Sequence, residues 1–243
     1  VRVTGHTATH AYDGAEKSVS GYDLATDDAL YGLSSTAFGG TAAASRTDAG
    51  RRAMGLSAAD FTNGDGNFDV TYVVTDGWVL VKPLDISGAD DFALALGANP
   101  KYSGAEQAVS VLSATCRGLP VTHGLTGASA VHAGAYTLTL AGTGNFTGSR
   151  SAIWRILPRA VTLTSGSASK VYDGTPLVAH EVAVGGDGFV AGEGATFNVT
   201  GSRTVAGTGK NVFTYALKAG TLAGDYAIET VEGDLTVTKA TYS

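Results

Sequence analysis

Ser169-Lys170-Val171-Tyr172-Asp173-Gly174-Thr175-Pro176-Leu177 is a short β-like run that stops in a Tyr-Asp-Gly turn, and the turn recurs as Tyr12-Asp13-Gly14 and Tyr102-Ser103-Gly104. Downstream of each lies an Ala-Gly pair, at Ala49-Gly50, Ala133-Gly134 and Ala206-Gly207. A Gly-Asx-aromatic turn then follows, at Gly66-Asn67-Phe68, Gly144-Asn145-Phe146 and Gly224-Asp225-Tyr226. One Tyr-x-Gly match carries little weight, but three landmarks in the same order three times over mark an internal repeat. The first and third copies are alike in spacing and the middle one is shorter.

Each copy closes on a strand-like run: Trp78 to Lys82, Ile153 to Leu157, and Leu235 to Lys239. The next copy begins at once with Pro83 or Pro158. The boundaries are therefore 1–82, 83–157 and 158–243. Junctions this short, with a proline fixing one backbone angle, predict a semi-rigid, elongated rod. Val70 to Thr75 and Trp78 to Lys82 flank Asp76-Gly77, a two-residue hairpin signal, and the third copy repeats it at Glu232-Gly233. One β-hairpin is expected to end both long copies. Helix-compatible sequence is scarce, the best being Leu56 to Phe61, one or two turns. The fold class is mostly β, three small β-rich domains in tandem.

The composition is that of a folding chain. Of its 243 residues, 44% are hydrophobic and 16% charged, with 34 glycines for turns. Sixteen basic against 22 acidic residues give a net charge of −6, and the only basic cluster is Arg51-Arg52, which argues against a nucleic-acid or anionic-membrane partner. Cys116 stands alone, so no internal disulfide or Cys-based zinc site forms. No stretch approaches the ~18 apolar residues of a membrane span. The start, Val1-Arg2-Val3-Thr4, has neither an initiating Met nor a signal-peptide pattern, so the chain reads as a piece of something longer.

At these residues the chain resembles the YDG and MBG repeats, modules related to mucin-binding-protein repeats and found in tandem in bacterial surface proteins and adhesins. Ser169 to Leu177, Gly188 to Ala195 and the closing Leu235 to Lys239 are similar to the family pattern almost end to end. In the first copy Tyr12-Asp13-Gly14, Thr47 to Gly50, Asp60-Phe61 and Val74 to Gly77 are similar. The middle copy has Ser103 where the pattern has Asp. The resemblance implies a β-grasp-like fold at an extracellular location, on the cell wall or secreted, and no catalytic residues; for small β-rich domains an Ig-like fold is the alternative.

Candidate sites are few. Tyr12, Asp13 and Gly14, Tyr102 and Gly104, and Tyr172, Asp173 and Gly174 could form a ligand-contacting ridge, but Tyr as a packing group and Asp-Gly as a turn is the simpler reading. Asn63, Asp65, Asn67 and Asp69 place oxygens at alternate positions, like a calcium loop, without the closing Glu of an EF-hand. His6 and His10, four apart on a strand, are about 13 Å apart and share no metal. His123, His132 and His180 have no acid or nucleophile in pattern with them. Gly207-Thr208-Gly209-Lys210 lacks the Gly and the Ser or Thr of a phosphate loop. Lys17 and Lys170 could in principle enter an isopeptide bond with Asn, although solvated lysines are commoner. No cofactor is implied.

The expected role is that of a non-catalytic stalk or spacer, in a monomeric chain. The alternative is direct binding of host glycan, mucin or matrix protein through exposed aromatics such as Tyr22, Tyr31 and Trp78.

Overall fold

The computed structural model describes all 243 residues, Val1–Ser243. It is mostly β, with 28 strands, three single 3-10 turns and no α-helix. Strands bury alternate side chains, as in Trp78–Lys82, where Val79 and Val81 are sealed and their neighbours are not. The chain divides into two compact units. The first comprises Val1–Ala95, Val111–Thr126 and Thr139–Ser151, the second Leu96–Ser110, Gly127–Leu138 and Ala152–Ser243.

In the first unit, Arg2–Gly5 runs antiparallel to Tyr22–Ala25 and parallel to Val73–Thr75. The chain then steps across at His6, and Thr7–Ala11 runs parallel to Trp78–Lys82, itself antiparallel to Gly50–Ala53. Val73–Thr75 and Trp78–Lys82 therefore lie in different sheets, and the hairpin expected at Asp76-Gly77 is not formed. What the dipeptide does instead is change sheets beside the same step at Gly5-His6. A Cβ on Gly77 would overlap the His6 carbonyl oxygen, so glycine is required for close backbone approach and not for a positive φ. Asp76 anchors the step by accepting the Gly55 and Leu56 N–H groups at 2.9 and 3.0 Å. Leu56 to Phe61 yields one 3-10 turn, Ala58–Asp60, closed by a Ser57/Asp60 capping box.

The rest of the first unit packs around Leu84, Ile86, Ala114, Cys116, Val121, Leu140 and Phe146, with Tyr12 against them. Leu84–Asp85 runs parallel to Phe146–Thr147, and His123–Thr126 antiparallel to residues 139–142.

The second unit repeats the pairing of the first. Arg159–Ser165 runs antiparallel to Val182–Gly186 and parallel to Tyr226–Val231. Ala168–Val171 runs parallel to Asp234–Thr238, which is antiparallel to Gly207–Lys210. Glu232-Gly233 changes sheets as Asp76-Gly77 does, and a Cβ on Gly233 would overlap the Ser165 carbonyl oxygen. Val161, Leu163, Leu235 and Val237 fill this core. Trp154, 1% exposed, donates its indole N–H to the Gly127 carbonyl at 2.8 Å. One bond recurs in all three copies: the N–H of Tyr12, Tyr102 and Tyr172 donates to the closing strand at Lys82, Leu157 and Thr238, at 2.9, 2.9 and 2.8 Å.

Candidate functional site

The Tyr-x-Gly turn follows from local chemistry. Gly14, Gly104 and Gly174 hold φ of 80, 79 and 78°, a left-handed conformation that glycine adopts without a Cβ clash. Asp13 accepts the Ala15 N–H and binds Lys17 Nζ at 2.5 Å. Asp173 accepts the Thr175 N–H and binds Lys170 Nζ at 2.7 Å. Both carboxyls are held below the usual range, chiefly by the lysine bond. The lysines Lys17 and Lys170 are thus engaged with aspartates of their own turn. In the middle copy Ser103 takes the place of the Asp and meets Gln107.

What the sequence landmarks do becomes visible at the places where one copy meets the next. In the first unit, Ala49 N–H donates to Asn145 Oδ1 at 2.7 Å, and Asn145 Nδ2 donates to Asp48 Oδ1 at 2.8 Å. Tyr12 meets Phe146 edge to face, centroids 5.6 Å apart. The second unit repeats this with other side chains. Ala133 N–H donates to Asp225 Oδ1 at 2.7 Å, and His132 Nδ1 lies 2.8 Å from Asp225 Oδ2. Tyr102 meets Tyr226 edge to face at 5.6 Å. The turn tyrosine and Ala-Gly pair of one copy thus close on the Asx-aromatic pair of the next, an arrangement we term a joint. Gly14 and Gly104 help, because a Cβ there would stand 3.0 Å from Leu119 and 2.7 Å from Val190 of the following copy.

Asp225 is 2% exposed, so its charge is offset by the donors of Ala133 and His132. Glu193 ties the same joint together by accepting from the Tyr102 hydroxyl at 2.6 Å and the Tyr226 hydroxyl at 2.7 Å. The bond to Glu193, with burial, raises the Tyr102 phenol well above its ordinary range. Burial, then the bond to Glu193, pushes Tyr226 up to about 12. Lys101 and Asp187 add an ion pair at 2.6 Å.

Two features of the joints escaped the sequence reading. Arg46 braces the Ala-Gly turn by donating to the Asp48 and Ala49 carbonyls at 2.7 and 2.8 Å, and Arg203 holds the same position in the third copy. The Arg-Thr-x-Ala-Gly string at 46–50 and 203–207 was the available signal. Glu193 lies in the Gly188 to Ala195 stretch, but no local pattern announces its partners, 33 and 91 residues away. Register also moves one landmark. Thr75 pairs with Thr4 as Val231 pairs with Thr164, which places Asp69 and Val70, not Asn67 and Phe68, at the positions of Asp225 and Tyr226.

Of the calcium-loop candidates, Asn63, Asp65 and Asn67 are engaged locally, and His10, on the strand Thr7–Ala11, keeps a buried Nε2 without a hydrogen-bond partner. Asn63 Oδ1 accepts from Tyr31 Oη and the Asp65 N–H, Asn63 Nδ2 donates to the Asp65 and Phe68 carbonyls, and Asp65 Oδ1 accepts from Asn67. This is a network of Asx turns, with Asp69 exposed beside it. His6 bonds the Ser20 carbonyl and faces Asp23. Tyr31, expected at the surface, is 6% exposed because its ring packs on Phe68 and its hydroxyl reaches Thr36 and Asn63. Tyr22 packs between Phe38 and Phe61, and Arg51 covers the Trp78 ring at 4.7 Å. Comparison with known protein families finds no match to the chain, and comparison with curated proteins finds no relative.

Proposed function

We propose that residues 1–82, 83–157 and 158–243 are three tandem, non-catalytic modules of a bacterial cell-surface or secreted adhesin-like protein, working as a rod-like stalk or spacer. The observation that carries this reading is the use to which the recurring residues are put. Tyr12, Ala49, Asn145 and Phe146, like Tyr102, Ala133, Asp225 and Tyr226, are spent on joining one copy to the next. A chain selected for a binding pocket would repeat its pocket residues, whereas this one repeats its connections. The likeness of Ser169 to Leu177 to YDG and MBG repeats supports the surface location. The alternative, glycan binding through Tyr22, Tyr31 and Trp78, loses support from the internal stacking of both tyrosine rings and from Arg51 over the Trp78 ring.

A binding assay on this chain against host glycans and mucin tests the proposal. No saturable binding is expected. Saturable binding that disappears on replacing one exposed aromatic, such as Tyr172 or Tyr215, overturns the pure spacer reading.

A further inference from the structure

We propose that the third copy carries an open half-joint, a docking surface for the Asx-aromatic turn of a further module of the same kind. We also infer that the residue before the Ala-Gly pair selects which Asx that turn presents. Both rest on the reading of the copies as modules in tandem.

The surface is the positional counterpart of two that are occupied and, like the first of them, carries an arginine, Arg203. Tyr102 is 3% exposed under Tyr226, and Tyr172 at the same position is 46% exposed. A Cβ on Gly14 or Gly104 would press on the following copy, while nothing lies within 4 Å of one on Gly174. Ala49 and Ala133 give their N–H groups to Asn145 and Asp225, while the N–H of exposed Ala206 has no acceptor. Arg46, which braces the occupied turn, makes both its bonds. At the open turn Arg203 reaches the Ala206 carbonyl only at 3.3 Å, and its buried Nε has no partner.

A pocket of ≈ 390 Å³ opens here between Tyr172, Val205, Ala206, Lys239 and Ala240. Counted from the closing strand, Ala240 stands where Leu84 and Arg159 stand in the other copies. Those two residues pair with Phe146 and Tyr226. The pocket is therefore the seat of the turn aromatic, and the occupant is a module whose first strand continues from Lys239. A second copy of this chain is a poor substitute, because its first copy offers Asp69 but has Val70 in place of the ring.

Selection follows from the pairs at the two occupied joints. Asp48 accepts from an amide, Asn145, and His132 faces a carboxylate, Asp225. Position 205 is Val, 65% exposed, and meets neither Asx with a hydrogen bond. Val205→Asp should favour an Asn-type turn and Val205→His an Asp-type turn.

Two extended chains test this. In one, residues 240–243 are replaced by a second copy of 159–239, which carries the Asp-Tyr turn. In the other they are replaced by a second copy of 84–157, which carries the Asn-Phe turn. Amide hydrogen exchange at Ala206 is the readout, and it should slow by at least about tenfold in both relative to the parent chain. Val205→His should slow it further in the first extension and Val205→Asp in the second. An appended module that folds while Ala206 exchanges as in the parent, or that stays unfolded in both extensions, overturns the docking surface. So does self-association of the parent that protects Ala206. Equal protection with Val, His and Asp at position 205 removes the selection. The tandem reading fails separately, if Ala49 and Ala133 exchange as fast as Ala206 does in the parent chain.

Discussion

The joint around Asn145 and the joint around Asp225 use the same backbone geometry with opposite chemistry. At the first, a neutral amide accepts the Ala49 N–H, donates a hydrogen bond to Asp48, and is followed by a phenyl ring. At the second, a carboxylate 2% exposed takes the Ala133 N–H, faces His132, and is followed by a phenol bound to Glu193. The positions that must close the joint are thus fixed in shape but free in charge, provided both sides change together. A charge-loaded joint gains strong hydrogen bonds and incurs desolvation. It should therefore be the more sensitive of the two to substitution and to pH.

The largest effect is expected from Tyr226→Ala. The ring is 6% exposed and packs on Tyr102 and Phe189, with centroids 5.6 and 4.9 Å away. Its removal leaves a cavity and strips one donor from Glu193, and should cost about 3 to 5 kcal/mol. Tyr226→Phe keeps the ring and should cost about 1 to 2 kcal/mol. Urea denaturation of both variants beside Phe146→Ala checks the contrast. Equal losses for Tyr226→Phe and Tyr226→Ala would mean that the phenol bond, not the packing, dominates.

The next effect tests whether charge is interchangeable between the joints. Asn145→Asp places a second carboxylate against Asp48 and should destabilise the first joint by about 1 to 3 kcal/mol. Adding Asp48→His re-creates the pairing of His132 with Asp225 and should restore most of the loss. A double-mutant cycle measures the coupling. Additive single effects would show that the two side chains act independently and would sink the pairing rule.

The contrast was half legible in the sequence. Tyr-x-Gly, Ala-Gly and Gly-Asx-aromatic stood out because they recur in the same order in every copy, and the Tyr-x-Gly glycine is needed at its own turn for a positive φ. That they meet was hidden, since Ala49 and Asn145 are 96 residues apart and no local pattern reports a partner at that distance. Asp76-Gly77 misled for a related reason. The dipeptide has the composition of a tight hairpin, and only the parallel pairing of both flanking strands with Arg2–Gly5 and Thr7–Ala11 shows that the glycine serves a crossing between sheets. The β class itself was plain, because alternation and turn residues are local properties.

A smaller effect should separate the joints by pH. An unfolded tyrosine ionises near about 10, whereas burial and the Glu193 bond raise Tyr226 to about 12. The raised value favours the folded state fully below about pH 10. That contribution is lost as pH rises through the folded value, because ionisation first stabilises the unfolded chain. Phe146 offers no phenol at this position. Amide exchange followed from neutral to alkaline pH, corrected for intrinsic rates, should show Ala133 losing protection before Ala49. In Tyr226→Phe the difference should shrink, and an undiminished difference would place its origin elsewhere.

The smallest effect is expected where a joint has only one half. Tyr172→Ala removes the same residue type as Tyr102→Ala, but at 46% exposure against 3%. Tyr102 carries a bond to Glu193 and an edge-to-face contact with Tyr226, while the Tyr172 ring has no aromatic neighbour and its backbone N–H keeps its bond to Thr238 in either variant. Tyr172→Ala should therefore stay within about 0.5 kcal/mol of the parent, and Tyr102→Ala should cost about 3 kcal/mol. The difference between the two measures what a following copy adds at the turn tyrosine. A Tyr172→Ala loss as large as that of Tyr102→Ala would mean that the tyrosine stabilises its own copy, and that its burial against the next is incidental.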